Sequence, residues 1–184
     1  MKNLKDYSGE FIFDLNFADF SHDTLVKLLS VYAKLYIAMD GFWYLTVMDR
    51  SGNDEALACD IQVWKKVSKY EMKRVTEALN ITGKSPIDFL KALQVTPWFR
   101  HMKCVFDIKS SNEIVMMVTH CPTLEALEKE GKGRQNDICG TFELNLMHNY
   151  AALFNPEIKV ESLAPLPRQN RGDICCKCSF KLGA

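Results

Sequence analysis

An α+β fold is predicted by three features of the sequence. Up to about residue 100, apolar side chains recur at three-to-four spacing; after it they alternate or run on in strand-length pieces. A turn-forming tetrapeptide, Lys109-Ser110-Ser111-Asn112, joins the first two of those pieces. The expected architecture is an N-terminal helical half, 1–100, packed with a C-terminal antiparallel sheet unit, 103–181, that two helices cover. No repeat, low-complexity tract or long linker divides the chain, and 184 residues suit a single domain, 1–184.

The first helix opens at Ser21 or Asp19, either of which can cap it, and carries Leu25, Leu28, Leu29, Tyr32, Tyr36 and Met39 at helical spacing. Its pattern runs on toward Trp43 and Val47 and stops at Arg50-Ser51-Gly52-Asn53. A second helix begins at Asn53, with Asp54 and Glu55 suited to the positive end of its dipole. Leu57, Ile61, Trp64, Val75 and Leu79 form its expected buried stripe, ending near Asn80 and Gly83. The third start is the clearest: Ser85 as cap, Pro86 at the first position and Asp88 closing a capping box, with Pro97 as the stop.

In the second half, Cys104, Phe106 and Ile108 alternate with Val105 and Asp107, and 113–119 is a continuous apolar run. A short helix is expected over 122–130, ended by Gly131, and a longer one over 137–154, stopped by Asn155-Pro156. A strand near 158–160 precedes the Pro165/Pro167 loop. A last strand, 174–181, places Ile174, Cys176, Cys178 and Phe180 on one face.

The bulk properties narrow the function classes. Lysine plus arginine (23) equals aspartate plus glutamate (23), so no basic excess points to nucleic acid or to an anionic membrane. The most hydrophobic window, 35–48, is interrupted by Asp40 and Gly41 and falls short of the ~20 apolar residues that cross a bilayer. The opening residues hold no apolar leader, so the expected location is cytoplasmic. There an odd count of seven cysteines reads as free thiols, metal ligands or redox groups rather than disulfides.

Cys121 stands out. It lies where an apolar strand ends and a helix begins, a position whose amides and dipole favour a thiolate and lower its pKa. Glu125, one turn on, is placed as acid, base or co-ligand, while His120 is expected on the opposite face. Cys139 falls in the first turn of the next expected helix, and Cys176 points inward from the last strand. If Cys121, Cys139 and Cys176 converge, they suit a transition metal (zinc or iron) or a nucleophile with redox partners; scattered, they are small buried hydrophobes. Gly131-Lys132-Gly133-Arg134 lacks the spacing of a phosphate loop and reads as a solvated turn. In the helical half, Asp40 either lines a ligand cavity with Trp43 or breaks the helix with Gly41 and meets solvent.

The Cys121-Pro122-Thr123-Leu124-Glu125 stretch, Cys139, and Gly172-Asp173-Ile174-Cys175-Cys176 with Phe180 resemble the pattern of the aminothiazoline-carboxylate hydrolase-like family over residues 103–181. With Tyr7-Ser8-Gly9-Glu10 and Asp40-Gly41-Phe42-Trp43 added, the chain also resembles an uncharacterised prokaryotic domain family and, distantly, vinyl-reductase-type ligand-binding domains. The resemblance implies an α+β fold with a ligand pocket and a cysteine-centred site; the doubled Cys175-Cys176 departs from the hydrolase pattern. Two functions follow as expectations. One is a small-ligand or metal-binding, sensing domain. The other is a cysteine-dependent hydrolase of a C–N bond in a small heterocycle, with Cys121 and Glu125 as its catalytic groups. A homodimer through the aromatic surface is a third possibility for this chain.

Overall fold

Ser21 settles the first helix start. Its hydroxyl accepts the Thr24 amide at 3.2 Å, and α1 runs over His22–Ser51 in a computed structural model that describes residues 3–183. Gly52, at φ +91°, turns the chain directly into α2 (Asn53–Ala78), and the two long helices pack side by side. The capping box at Ser85 is formed from both sides and opens α3 (Pro86–Gln94). That helix ends three residues before Pro97, because Thr96 turns its hydroxyl back onto the Leu93 carbonyl (2.8 Å).

The sheet begins with β1 (Lys103–Ser110) and β2 (Glu113–His120), joined by a tight turn at Ser111-Asn112. α4 (Pro122–Glu130) follows at once and ends on Gly131, whose left-handed φ of +71° glycine adopts without strain. The long helix expected over 137–154 starts at α5 (Gln135–Asp137), passes through a π-helical turn, Ile138–Phe142, and continues as α6 (Glu143–Phe154). β3 (Ile158–Ser162) and β4 (Cys176–Leu182) complete an antiparallel sheet of order β1-β2-β4-β3.

Register builds one apolar face. Cys104, Val118 and Cys176 form one row across β1, β2 and β4, and Phe106, Met116 and Cys178 the next. Ile114, Phe180 and Val160 continue it toward β3. Phe89 of α3 meets Phe180 at 5.4 Å and Phe154 of α6 at 5.6 Å between ring centres, so helices and sheet share one core. The fold is α+β, with the helical half packed on the sheet.

The helix stripes divide unevenly. On α2 the buried positions are Ala56, Asp60, Trp64, Ser68, Glu71 and Met72; Leu57, Ile61 and Val75 are partly buried beside them, and Leu79 stands exposed beyond the helix end. On α1, Ala33 and Tyr44 face inward, whereas Leu29, Tyr32 and Met39 of the expected stripe face out. α1 is apolar on both sides, so periodicity by itself carries no sign for which side is core.

Candidate functional site

Six of the seven cysteines gather where the sheet face meets the helices, and all seven are free thiols. Strand register sets Cys104 and Cys176 on either side of Val118, with Cys178 one row further. Burial pushes the Cys104 and Cys178 thiols up to about 11 and raises Cys176 further, with Cys178, Cys121 and Glu143 adding to it.

Cys121 is the residue between β2 and α4, at the cap position of α4, as the sequence implied. Its pKa moves the opposite way from that expectation. Burial pushes it up to about 12; the Leu124 and Thr123 amides offset this only in part, and the thiol makes no capping hydrogen bond. Desolvation of a thiolate outweighs the helix end here. Cys139 is also placed differently: it sits inside the π turn of a continuous helix, not at a free helix start, and burial, Glu143 and Cys121 raise it. Cys121 therefore lies near enough to Cys139 and Cys176 to act on both. Among the described residues, however, no group of three or more His, Cys, Asp or Glu side chains is arranged to hold a metal ion.

Glu125 is engaged elsewhere: its Oε1 lies 2.7 Å from His120 Nδ1 on the surface, so the two residues expected on opposite sides are partners. The carboxyl that acts on the thiols is instead Glu143, the first residue of α6. Burial and Asp40 raise it to about 7, and it in turn raises Cys121, Cys139, Cys176 and Cys178. No hydrogen-bond donor among the described residues is seated on it, and it keeps part of its surface accessible.

Asp40 and Asp60 extend this acidic region into the helical half. Asp40 is half-buried and accepts the Trp64 indole N–H at 3.1 Å; burial raises its pKa. Asp60 is 5% exposed, and burial, Asp40 and Glu143 together push it to about 7. Asp40 and Glu143 act on Asp60, and Asp40 on Glu143, with no basic side chain among the described residues opposing them. Asp40, Glu143, Cys121 and Cys176 are all partly accessible yet desolvated. Trp43, expected beside Asp40, is 57% exposed on the outer side of α1 and takes no part.

Two neighbouring networks are complete. Glu71 accepts from Tyr36 Oη (2.8 Å), Trp98 Nε1 (3.2 Å) and Tyr150 Oη. Arg168 holds Glu128 through two 2.8 Å bonds and reaches Cys175 Sγ at 3.4 Å, which ties the loop before β4 to α4.

Sequence reasoning missed Glu143, Asp60 and the sheet thiol Cys104. Glu143 did leave a signal: it is the one Asp, Glu, Lys or Arg in 138–154. Asp60 and Glu71 are likewise carboxylates on the Trp64 face of α2.

No curated protein and no solved structure matches the chain. A family model, the Family of unknown function (DUF6125), matches residues 18–182, from the start of α1 to the end of β4, and the chain therefore belongs to that family.

Proposed function

We propose that this protein binds a small molecule carrying a cationic or hydrogen-bond-donating head, with Glu143 as its polar anchor and the thiol-bearing sheet face as its apolar wall. One observation carries the reading: Glu143 is desolvated and partly accessible, lies beside Asp40 and Asp60, and among the described residues has neither a donor nor an opposing cation. A buried carboxyl in that state has hydrogen-bonding capacity left to offer a ligand, and a few convergent polar groups on an apolar wall are the usual make-up of a small-molecule site. The resemblance to aminothiazoline-carboxylate hydrolase-like and vinyl-reductase-type proteins supports a pocket at this cysteine-centred place.

A small aromatic amine such as benzylamine is a suitable probe. It should raise the thermal midpoint of the wild-type chain, bind more tightly as pH rises through about 7 and Glu143 ionises, and lose at least tenfold in affinity in Glu143→Gln. Equal affinity in wild type and variant would remove Glu143 as anchor. Zinc as a second probe tests the metal form of the reading. Cys121, Cys139 and Cys176 would each have to lose a proton and close on the ion, so zinc affinity should climb steeply with pH.

The hydrolase reading has one observation in its favour: a carboxyl near 7 acting on Cys121 has the pKa of a general base. Against it, the Cys121 thiol is held protonated by burial. Iodoacetamide separates the two. An activated nucleophile gives an alkylation rate with an inflection near pH 7; a thiol at about 12 reacts slowly throughout, with on the order of a thousandfold less thiolate than a free cysteine.

A further inference from the structure

The outer side of α1 is an apolar surface that the ligand site leaves unused. Leu28, Tyr32, Leu35, Met39, Phe42 and Thr46 repeat at alternating four- and three-residue steps along it, the spacing of a two-helix seam. This stripe lies opposite the buried Ala33 and Tyr44, and Asp40, the one charge between Lys34 and Asp49, turns the other way, to Trp64. An open apolar groove of about 400 Å³, lined by Leu35, Ala38, Met39, Phe42, Trp43 and Thr46, marks its middle.

We infer that this face is the interface of a two-fold dimer in which α1 of a second copy packs antiparallel, centred near Ala38. Two observations select a second copy. First, area: Leu29, Tyr32, Leu35, Met39, Phe42 and Trp43 are between 48% and 70% exposed. Together they present roughly 800 Å², what one partner contributes to an interface of standard size. Second, self-complementarity: a seam repeating at four and three steps fits a copy of itself, and Ala38, one of the groove's lining residues, gives the crossing point a small side chain. The interface lies on the far side of α1 from Glu143 and the thiols, so it stands independently of the ligand reading.

Sedimentation of the full chain at about ten micromolar decides it, the concentration being that of a moderate association. The expected mass is twice the 21.1 kDa of the chain. Met39→Glu with Phe42→Glu should give a folded monomer, its dissociation constant raised about a hundredfold or more, because the seam would bury like charges. Val105→Glu, an equally exposed apolar position on β1, should leave the dimer intact and controls for general surface effects. Ala38→Cys should cross-link to itself across the axis on mild oxidation. A wild-type monomer that instead partitions onto phosphatidylcholine vesicles would give this face to lipid and overturn the proposal. So would a wild-type monomer that ignores vesicles, or a dimer insensitive to the Met39/Phe42 change.

Discussion

Glu71 and Glu143 are two buried carboxyl groups in the same core, and they have opposite surroundings. Burial raises the pKa of both. Glu71 is answered by three donors from three elements, Tyr36 on α1, Trp98 after α3 and Tyr150 on α6, and so fastens the helical half together. Glu143 is answered by none among the described residues and faces two more carboxyls and a set of thiols. Desolvation alone therefore does not separate a structural carboxylate from a functional one. The unmet hydrogen-bonding capacity does, since an unsatisfied buried group lowers stability and a fold keeps it only where something else uses it.

Removing the two carboxyls should have opposite effects. Glu71→Ala leaves the Tyr36, Trp98 and Tyr150 donors without their acceptor and should lower the unfolding free energy by about 3–5 kcal/mol, read by urea denaturation at pH 7. Glu71→Gln, which keeps one acceptor oxygen, should cost less. A change under 1 kcal/mol for the alanine variant would mean that the network is slack and the contrast with Glu143 false.

The pH dependence is the second test. Glu143 and Asp60 have folded pKa values near 7, above their unfolded values, so the folded state holds their protons longer. Their stabilising share is complete below the unfolded values, about 4, and is lost as pH rises through about 7. Asp40 and Glu71, also raised by burial, act in the same direction. Glu128 and Glu130, lowered by Arg168 and Arg134, are ionised in both states above pH 5 and add no slope there. Unfolding free energy should therefore fall between pH 5 and pH 8, by on the order of 2 kcal/mol for Glu143 alone. Glu143→Gln should flatten the curve and be more stable than wild type at pH 8; a variant less stable at pH 8 would show that Glu143 has a donor after all.

The smallest effect is expected at the surface. His120 and Glu125 form a close pair, but both are substantially exposed, so His120→Ala should change stability by about 0.5 kcal/mol or less and leave benzylamine affinity unaltered. A tenfold loss of affinity would bring Glu125 back into the site.

Much of the fold was legible because its signals are local. The Ser21 cap, the Ser85-Pro86-Asp88 box, the Ser111-Asn112 turn and Gly131 after α4 each act through residues within a turn of one another, and each appears where the sequence implied. Alternation on β4 turned Cys176, Cys178 and Phe180 to one face for the same reason: the strand repeat is geometric and needs no partner. Composition and spacing also singled out Cys121, Cys139 and Cys176; in the fold Cys121 acts on each of the other two.

What the tertiary structure alone decided are the properties that depend on residues far apart in the chain. Cys121 carried the local mark of a lowered pKa, and burial against α6 and the sheet reversed it. Glu125 was one helical turn from the thiol, and the fold gave it to His120. Glu143 entered the site because a π turn at Ile138–Phe142 interrupts an otherwise regular helix just before it. α1 had two apolar sides, and only the packing of α2 against one of them determined which was left facing out. Helix caps and strand alternation are written in neighbouring residues; desolvation, charge pairing and the choice of a buried face are sums over whatever the chain brings together, and those sums exist only once it has folded.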